Sequence, residues 1–208
     1  MGCKASVFKL AMYLRGFENL LMDMISNEKL VFALIDKLME FHLSYTENTL
    51  KSGYSFIDIF MVGDDFGTET GPLISIELFR KFFKKPLQKL VELGHKYGVK
   101  VMLHSCGSIR KFIPDFIEIG FDILNPIQTT ARGMEPDQIK KEFGQYICFH
   151  GSIDVQKTLP FGKVEDVKNE VKEKIRILGK GGGFILAPSH NLQPDIPIEN
   201  ILEMYLNH

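Results

Sequence analysis

The sequence predicts an α/β fold in which parallel strands alternate with helices. Five short apolar stretches alternate along the chain with helical patterns, which is the order of parallel strands joined by right-handed helical crossovers. Almost all of these stretches are continuously apolar, as is typical of strands that helices cover on both faces. The chain has 208 residues, whereas a complete eight-stranded barrel of this kind takes about 250. The sequence therefore predicts either a fragment of a barrel or an open sheet.

The first quarter of the sequence predicts helices. Residues 1–52 have a helical pattern, and the stretch 27–50 repeats apolar residues at spacings of three and four, which is one face of a helix. That face consists of Val31, Leu34, Leu38, Phe41 and Tyr45. The period then changes, because residues 56–62 form a short, β-rich apolar run that ends at Gly63. This run is predicted to be the first buried strand.

The later elements follow in alternation. A helix is predicted over residues 75–97, with a local kink at Pro86, because proline lacks the backbone N–H that a helix interior needs. Further strands are predicted over residues 99–103, 121–124, 146–149 and 184–187. Further helices are predicted over residues 109–119, 136–143 and 163–179, and from Pro197 onward. All of them are assigned to one domain over residues 1–208.

Composition excludes several classes of protein. The chain is 45% apolar and 25% charged, which is typical of globular domains and not of disordered chains. The 25 basic and 26 acidic residues give a net charge of −1, which argues against nucleic acid or a membrane surface as the partner. No apolar run approaches the ~20 residues of a membrane-spanning helix. The three cysteines (Cys3, Cys106 and Cys148) are too few for a disulfide framework, so we expect a reduced, cytoplasmic protein.

Polar segments follow all five predicted strands. In a barrel and in an open parallel sheet alike, the chemistry lies at the carboxyl ends of the strands. The segments at those ends are residues 63–69, 104–107, 125–128, 150–154 and 188–191. Four of them carry histidine, cysteine or acidic residues directly after an apolar strand, so a functional site is predicted at this edge.

His104 and Cys106 indicate a metal site. They lie two residues apart at a strand end, so their side chains point to the same side. Imidazole and thiolate together favour zinc over magnesium or calcium, and a catalytic zinc uses three protein ligands. The best third ligand is His190, and the weaker candidates are Asp64, Asp65, Glu69 and His150. The alternative is that Cys106 is a small buried residue and His104 a hydrogen-bonded polar residue of the strand end.

Five polar residues are candidates for catalysis. Asp64 and Asp65 suit acid–base work or substrate orientation, although a Gly-Asp-Asp sequence is also ordinary turn chemistry. Only one of two adjacent side chains can point into a barrel mouth. The other candidates are Gln128, His150 and Asp154, which are expected to line the same pocket.

In their order along the chain, these segments resemble the uroporphyrinogen decarboxylase superfamily. The resemblance runs from about Asn19 to the C-terminus and rests on residues 63–68, 104–107, 122–128, 151–154, 182–191 and 197–201. The ordered set is specific, although no single segment is. The resemblance implies a (β/α)8 barrel with its site at the carboxyl ends of the strands. The expected fold is therefore a partial barrel of about five βα units after N-terminal helices, corresponding to the later part of the family's barrel.

The superfamily implies two chemistries. Its decarboxylases remove acetate carboxylates from a tetrapyrrole without a metal, and they bind the substrate through an N-terminal arginine-rich stretch and an early-strand aspartate, neither of which is found here. Its corrinoid-dependent methyltransferases bind zinc through a His-x-Cys pair and a later cysteine. His104 and Cys106 match the first two ligands, and His190 falls where the later cysteine would be. This resemblance implies zinc as a cofactor and a corrinoid carried by a partner protein.

The leading hypothesis is a zinc-dependent methyltransferase that moves a methyl group from a corrinoid protein to a thiol acceptor. The first alternative is a uroporphyrinogen decarboxylase of haem synthesis. The second is a non-catalytic partial barrel that pairs with a completing chain, because missing strands leave open sheet edges. The expected partners are a small-molecule substrate and a corrinoid protein, with a homo-oligomer or a completing chain left open.

Overall fold

The computed structural model describes residues 4–53 and 55–206. The chain divides into two compact units. The first comprises the chain up to Phe66, residues 72–105 and residues 111–122, and the second comprises residues 67–71, residues 106–110 and the chain from Ile123 onward. Among the described residues, no helix is both long enough and apolar enough to cross a membrane. The expectation of a single domain over residues 1–208 stays a prediction.

The first unit contains three parallel strands in the order β1-β2-β3. The strands are β1 (Lys4–Ala5), β2 (Ile59–Gly63) and β3 (Lys100–His104). The helices are α1 (Phe8–Arg15), α2 (Phe17–Ser26), α3 (Glu28–Ser52), α4 (Ile76–Phe82), α5 (Lys84–Lys96) and α6 (Ile113–Ile119). The register sets Lys4 opposite Met61 and Gly63 opposite His104. The carboxyl ends of β2 and β3 therefore coincide.

The core of the first unit is built from phenylalanine rings. Phe66, which follows β2, is fully buried and stacks on Phe8 of α1 at a centroid distance of 5.4 Å. Its ring also meets the edge of Phe79 in α4 at 4.9 Å. Further rings within about 6 Å of Phe66 come from Phe83, Phe112 and Phe116. Aromatic contacts of this kind bury large areas, so the segment after β2 is anchored by a ring in the core.

The second unit contains three parallel strands in the order β4-β5-β6. The strands are β4 (Ile123–Ile127), β5 (Cys148–Ile153) and β6 (Phe184–Pro188). The helices are α7 (Pro136–Phe143), α8 (Thr158–Phe161), α9 (Val164–Leu178) and α10 (Ile198–Leu206). The apolar cluster between β5 and these helices consists of Ile153, Leu159, Val167, Val171, Ile196 and Met204.

All five predicted strands are present, and the structure adds a sixth among the described residues. This extra strand, Lys4–Ala5, is two residues long, which is too short to show any periodicity. It breaks the helical stretch predicted over residues 1–52, which was wrong at that point. The strand boundaries also shift toward the C-terminus, so His104, Asn125 and His150 lie inside strands. Backbone pairing continues into these polar residues because it does not depend on side-chain hydropathy.

The predicted kink at Pro86 is a break between two helices. The helix expected over residues 75–97 ends at Phe82, and a second helix starts at Lys84. Pro86 therefore lies in the first turn of α5, where its missing N–H leaves no hydrogen bond unmade. Ser75 is the N-cap of α4, and its side chain accepts a hydrogen bond from the Leu78 N–H at 3.2 Å.

Candidate metal centre

Asp64 is a structural anchor for the start of α1. Its carboxylate is fully buried and accepts hydrogen bonds from the Ser6 hydroxyl at 3.0 Å and the backbone N–H groups of Val7 at 2.8 Å and Lys9 at 2.9 Å. These donors satisfy the otherwise open N–H groups of a helix N-terminus. Burial raises the pKa of Asp64 to about 6, although the donors pull the pKa back down.

Asp65 lies beside His104. The Asp65 Oδ1 atom is 3.8 Å from His104 Nε2, and the Lys9 ammonium is 3.5 Å from Asp65 Oδ2. His104 ends β3, and its carbonyl accepts a hydrogen bond from the Asp64 N–H at 3.0 Å. Both Asp65 and His104 are half-buried. The strand pairing therefore holds the imidazole next to a carboxylate at the carboxyl ends of β2 and β3.

Cys106 completes a group of three possible metal ligands. It is a half-buried cysteine two residues after His104. One ligand atom from each of Asp65, His104 and Cys106 lies within 4.8 Å of the other two, and within residues 4–53 and 55–206 this is the one such group of three histidine, cysteine or acidic residues. Donors to one tetrahedral zinc lie about 3.5 Å apart. The Asp65 Oδ1 and His104 Nε2 atoms, 3.8 Å apart, are close to this spacing, and zinc accepts the nitrogen, sulfur and oxygen donors of the group.

Ser105 fixes the strand end between the two ligands. It is fully buried, and its hydroxyl accepts a hydrogen bond from the Phe66 N–H at 3.0 Å. This bond ties the residue before Cys106 to the residue after Asp65. In the sequence, the place of Ser105 between His104 and Cys106 is the one signal for this role.

Gln128 joins two loops of the second unit. Its Oε1 accepts a hydrogen bond from the Gly107 N–H at 2.9 Å, and its Nε2 donates to Glu69 Oε1 at 2.8 Å. Gln156 donates from Nε2 to the same Glu69 oxygen at 3.2 Å. The predicted place of Gln128 is in a pocket and that of Glu69 among the weaker ligands, whereas no motif in the sequence marks Gln156.

The other predicted site residues lie at the ends of β5 and β6. The His150 Nδ1 atom accepts a hydrogen bond from Asn125 Nδ2 at 2.6 Å. Asp154 is mostly buried and accepts a hydrogen bond from the Gln156 N–H at 2.7 Å. His190 is exposed after β6 and is not a member of the group of three ligands. Its role as a ligand stays a prediction, as do the catalytic roles of Asp64, Asp65, Gln128, His150 and Asp154.

The family model for uroporphyrinogen decarboxylase (URO-D) matches residues 1–205. The chain belongs to the URO-D family. The resemblance found in the strand-end segments is therefore confirmed over nearly the whole sequence.

Relatives of two activities match this URO-D family member. A methylcobamide:CoM methyltransferase, MtaA, of Methanosarcina barkeri is 28% identical over 172 residues, which cover 80% of this chain and 45% of the relative. A uroporphyrinogen decarboxylase of Mannheimia succiniciproducens is 21% identical over 206 residues, covering 96% of this chain and 55% of the relative. The chain thus spans about half the length of the curated relatives that it matches.

A solved structure supports the predicted fold. A methyltransferase from Methanosarcina mazei superposes with a TM-score of 0.76 at 23% identity, over 94% of this chain and 54% of the other. At this identity the likeness concerns the fold alone. The prediction of an α/β fold that forms part of a barrel is confirmed.

We predict that His42 makes the stability of the chain depend on pH. His42 in α3 is buried, and its Nε2 donates to the Ser6 carbonyl at 2.9 Å, while Nδ1 has no hydrogen-bond partner. Burial lowers the pKa of His42 below 6.5, although the bond to Ser6 pulls the pKa up. The unfolded chain therefore takes up this proton first, so stability is lost as the pH falls below 6.5.

The measurement is urea unfolding of the wild type and His42→Gln between pH 7.5 and pH 5. Glutamine can donate to the Ser6 carbonyl but does not titrate. The wild type should lose up to about 1.4 kcal/mol more than the variant for each pH unit below the unfolded pKa. If the free energy of unfolding depended on pH equally in the two proteins, His42 would not be the group responsible.

Proposed function

We propose that this chain carries the metal centre of a cytoplasmic, zinc-dependent methyltransferase that moves a methyl group from a corrinoid protein to a small thiol. The observation that carries the proposal is the grouping of Asp65, His104 and Cys106 at the strand ends. The similarity to a methylcobamide:CoM methyltransferase supports the same class of reaction. In that reaction the acceptor sulfur gains the methyl carbon, its proton is released, and the electron pair of the broken bond stays on the corrinoid.

Asp65, His104 and Cys106 would hold the zinc, with His190 as the further predicted ligand. When bound, zinc lowers the pKa of a coordinated thiol so that the nucleophilic thiolate forms near neutral pH. The role of the chain is to hold the donors. His104 is fixed by the β3 backbone, and Asp65 forms an ion pair with the Lys9 ammonium at 3.5 Å. The hydrogen bond from the Phe66 N–H to the Ser105 hydroxyl connects the backbone next to Asp65 with the backbone next to Cys106.

Cys106→Ala is predicted to lose the zinc that the wild-type chain binds at about one ion per chain. The thiolate is the strongest zinc donor of the group, and a site with two weaker donors binds much less tightly. Zinc is measured by atomic emission after dialysis against zinc and a second dialysis against buffer. The matched control is Cys148→Ala, which removes a half-buried cysteine at the start of β5.

Two outcomes of this measurement reject the proposed centre. One is a wild-type chain that retains no zinc, and the other is equal zinc in Cys106→Ala and in the wild type. Asp65→Asn and His190→Ala, measured in parallel, identify the third ligand. Uroporphyrinogen decarboxylase activity without zinc would instead support the alternative function, which the matches to decarboxylases over 96% of the chain favour.

We also propose that the catalytic form needs a completing polypeptide segment. The outer face of α10 carries a stripe of apolar side chains at helical spacing, and its members Ile198, Leu202, Tyr205 and Leu206 are 50–71% exposed. Within the described part of the chain, β6 pairs with β5 alone. The relatives are about twice as long as this chain. We therefore propose that this stripe is covered by a βα segment of the kind that the relatives contain outside the part that matches this chain.

The isolated 208-residue chain should therefore self-associate through this stripe. Gel filtration and light scattering of the wild type should give dimers or larger species, because an exposed apolar face next to an unpaired strand edge promotes association. The variant with both Ile198→Lys and Leu202→Lys should shift to a monomer, whereas Phe56→Lys, at a residue that is 89% exposed elsewhere, should not. A wild-type chain that stays a stable monomer would overturn this second proposal.

A further inference from the structure

The side chain of Gln128, the residue directly after β4, binds the loop that carries Cys106. The Gly107 N–H donates to Gln128 Oε1 at 2.9 Å, and Gln128 is only 9% exposed. That N–H belongs to the peptide unit between Cys106 and Gly107. Fixing its direction also fixes the Cys106 carbonyl, and with it the backbone orientation from which the Cys106 side chain projects.

Glu69 sets which way round the Gln128 amide lies. A glutamine amide has an acceptor end and a donor end, and either end can in principle face the loop. Here Glu69 Oε1 accepts from Gln128 Nε2 at 2.8 Å, so the acceptor end must face Gly107. Glu69 is held in turn, because its carbonyl accepts from the Arg132 N–H at 3.0 Å and its carboxylate accepts from Gln156 at 3.2 Å.

The backbones on either side leave little room for another arrangement. Gly107 has φ +84°, and a Cβ there would come within 2.6 Å of the Thr68 carbonyl oxygen. A Cβ on Gly67 would come within 2.7 Å of the Cys106 carbonyl oxygen. The Ser108 N–H donates to the Thr68 carbonyl at 2.8 Å. The segment 106–108 therefore lies directly against residues 67–68.

We infer that Gln128, oriented by Glu69, is a positioning residue that aims the Cys106 sulfur at the metal. This inference rests on the proposed function, because it presupposes that Cys106 is a ligand. It assigns Gln128 a role through Cys106 and not through contact with substrate, which differs from its predicted place among the catalytic residues. Groups that orient metal ligands by hydrogen bonds typically change metal affinity 10–100-fold when they are removed.

The test uses cobalt(II) as the probe, because a thiolate bound to cobalt gives a sulfur-to-metal charge-transfer absorption that reports on Cys106 itself. Cobalt is titrated into the full chain, and both the dissociation constant and the absorption per bound ion are measured. Gln128→Ala and Glu69→Ala should bind cobalt about 10–100-fold more weakly and show less charge-transfer absorption per ion. Glu69→Gln keeps an acceptor for Gln128 Nε2 and should stay close to the wild type.

Gln138→Ala is the matched control. Gln138 in α7 accepts a hydrogen bond from Arg110 Nη1 at 2.7 Å, so it holds the same loop at its far end. If Gln128 and Glu69 only stabilised the loop, Gln138→Ala would weaken cobalt binding as their variants do. We expect instead that Gln138→Ala binds cobalt like the wild type. Thermal unfolding of each variant shows whether it is folded. Because Glu69 is exposed, Glu69→Ala gives the decisive result if Gln128→Ala does not fold.

The outcomes separate the inference from the proposed function. If wild-type protein binds no cobalt, or binds it without the charge-transfer absorption, the metal centre at Cys106 is wrong. If wild-type protein binds cobalt with this absorption and Glu69→Ala matches it in affinity and spectrum, the centre stands and the positioning role is overturned. Equal weakening by Glu69→Ala and Gln138→Ala would also overturn it.

Discussion

The parallel pairing of β2 with β3 is the constraint on which the candidate metal centre depends. Gly63 lies opposite His104, and the Asp64 N–H continues the pairing to the His104 carbonyl at 3.0 Å. Because both strands end at the same level, the residues that follow β2 come out beside the imidazole at the end of β3. The buried Phe66 ring and its backbone bond to Ser105 then prevent the two strand ends from separating.

Two adjacent aspartates take different roles because of this pairing. Asp64 is buried, and its carboxylate accepts hydrogen bonds from three donors at the start of α1. Asp65 is half-buried and lies beside His104. The helix start is therefore attached to the same short segment that presents the candidate ligand. A change at Asp64 is expected to act through the fold, and a change at Asp65 through the site.

The fold was largely predictable from the sequence, whereas the bonds that organise the site were not. Continuous apolar runs and helical periodicity locate the five main strands, and the rule that chemistry lies at strand ends picks out His104 and Cys106. Hydropathy says nothing about hydrogen bonding between residues far apart in sequence, such as Asp64 with Ser6 or Glu69 with Gln128. For the same reason, the sequence pattern alone did not separate the roles of Asp64 and Asp65.

We propose that Cys106 and His104 bind one zinc ion. X-ray absorption at the zinc edge of the zinc-loaded chain tests it most directly, because the spectrum reports the donor atoms themselves. We expect one sulfur at about 2.3 Å together with nitrogen and oxygen donors near 2.0–2.2 Å, and loss of the sulfur shell in Cys106→Ala. A zinc ion surrounded by nitrogen and oxygen alone in the wild-type chain would contradict it.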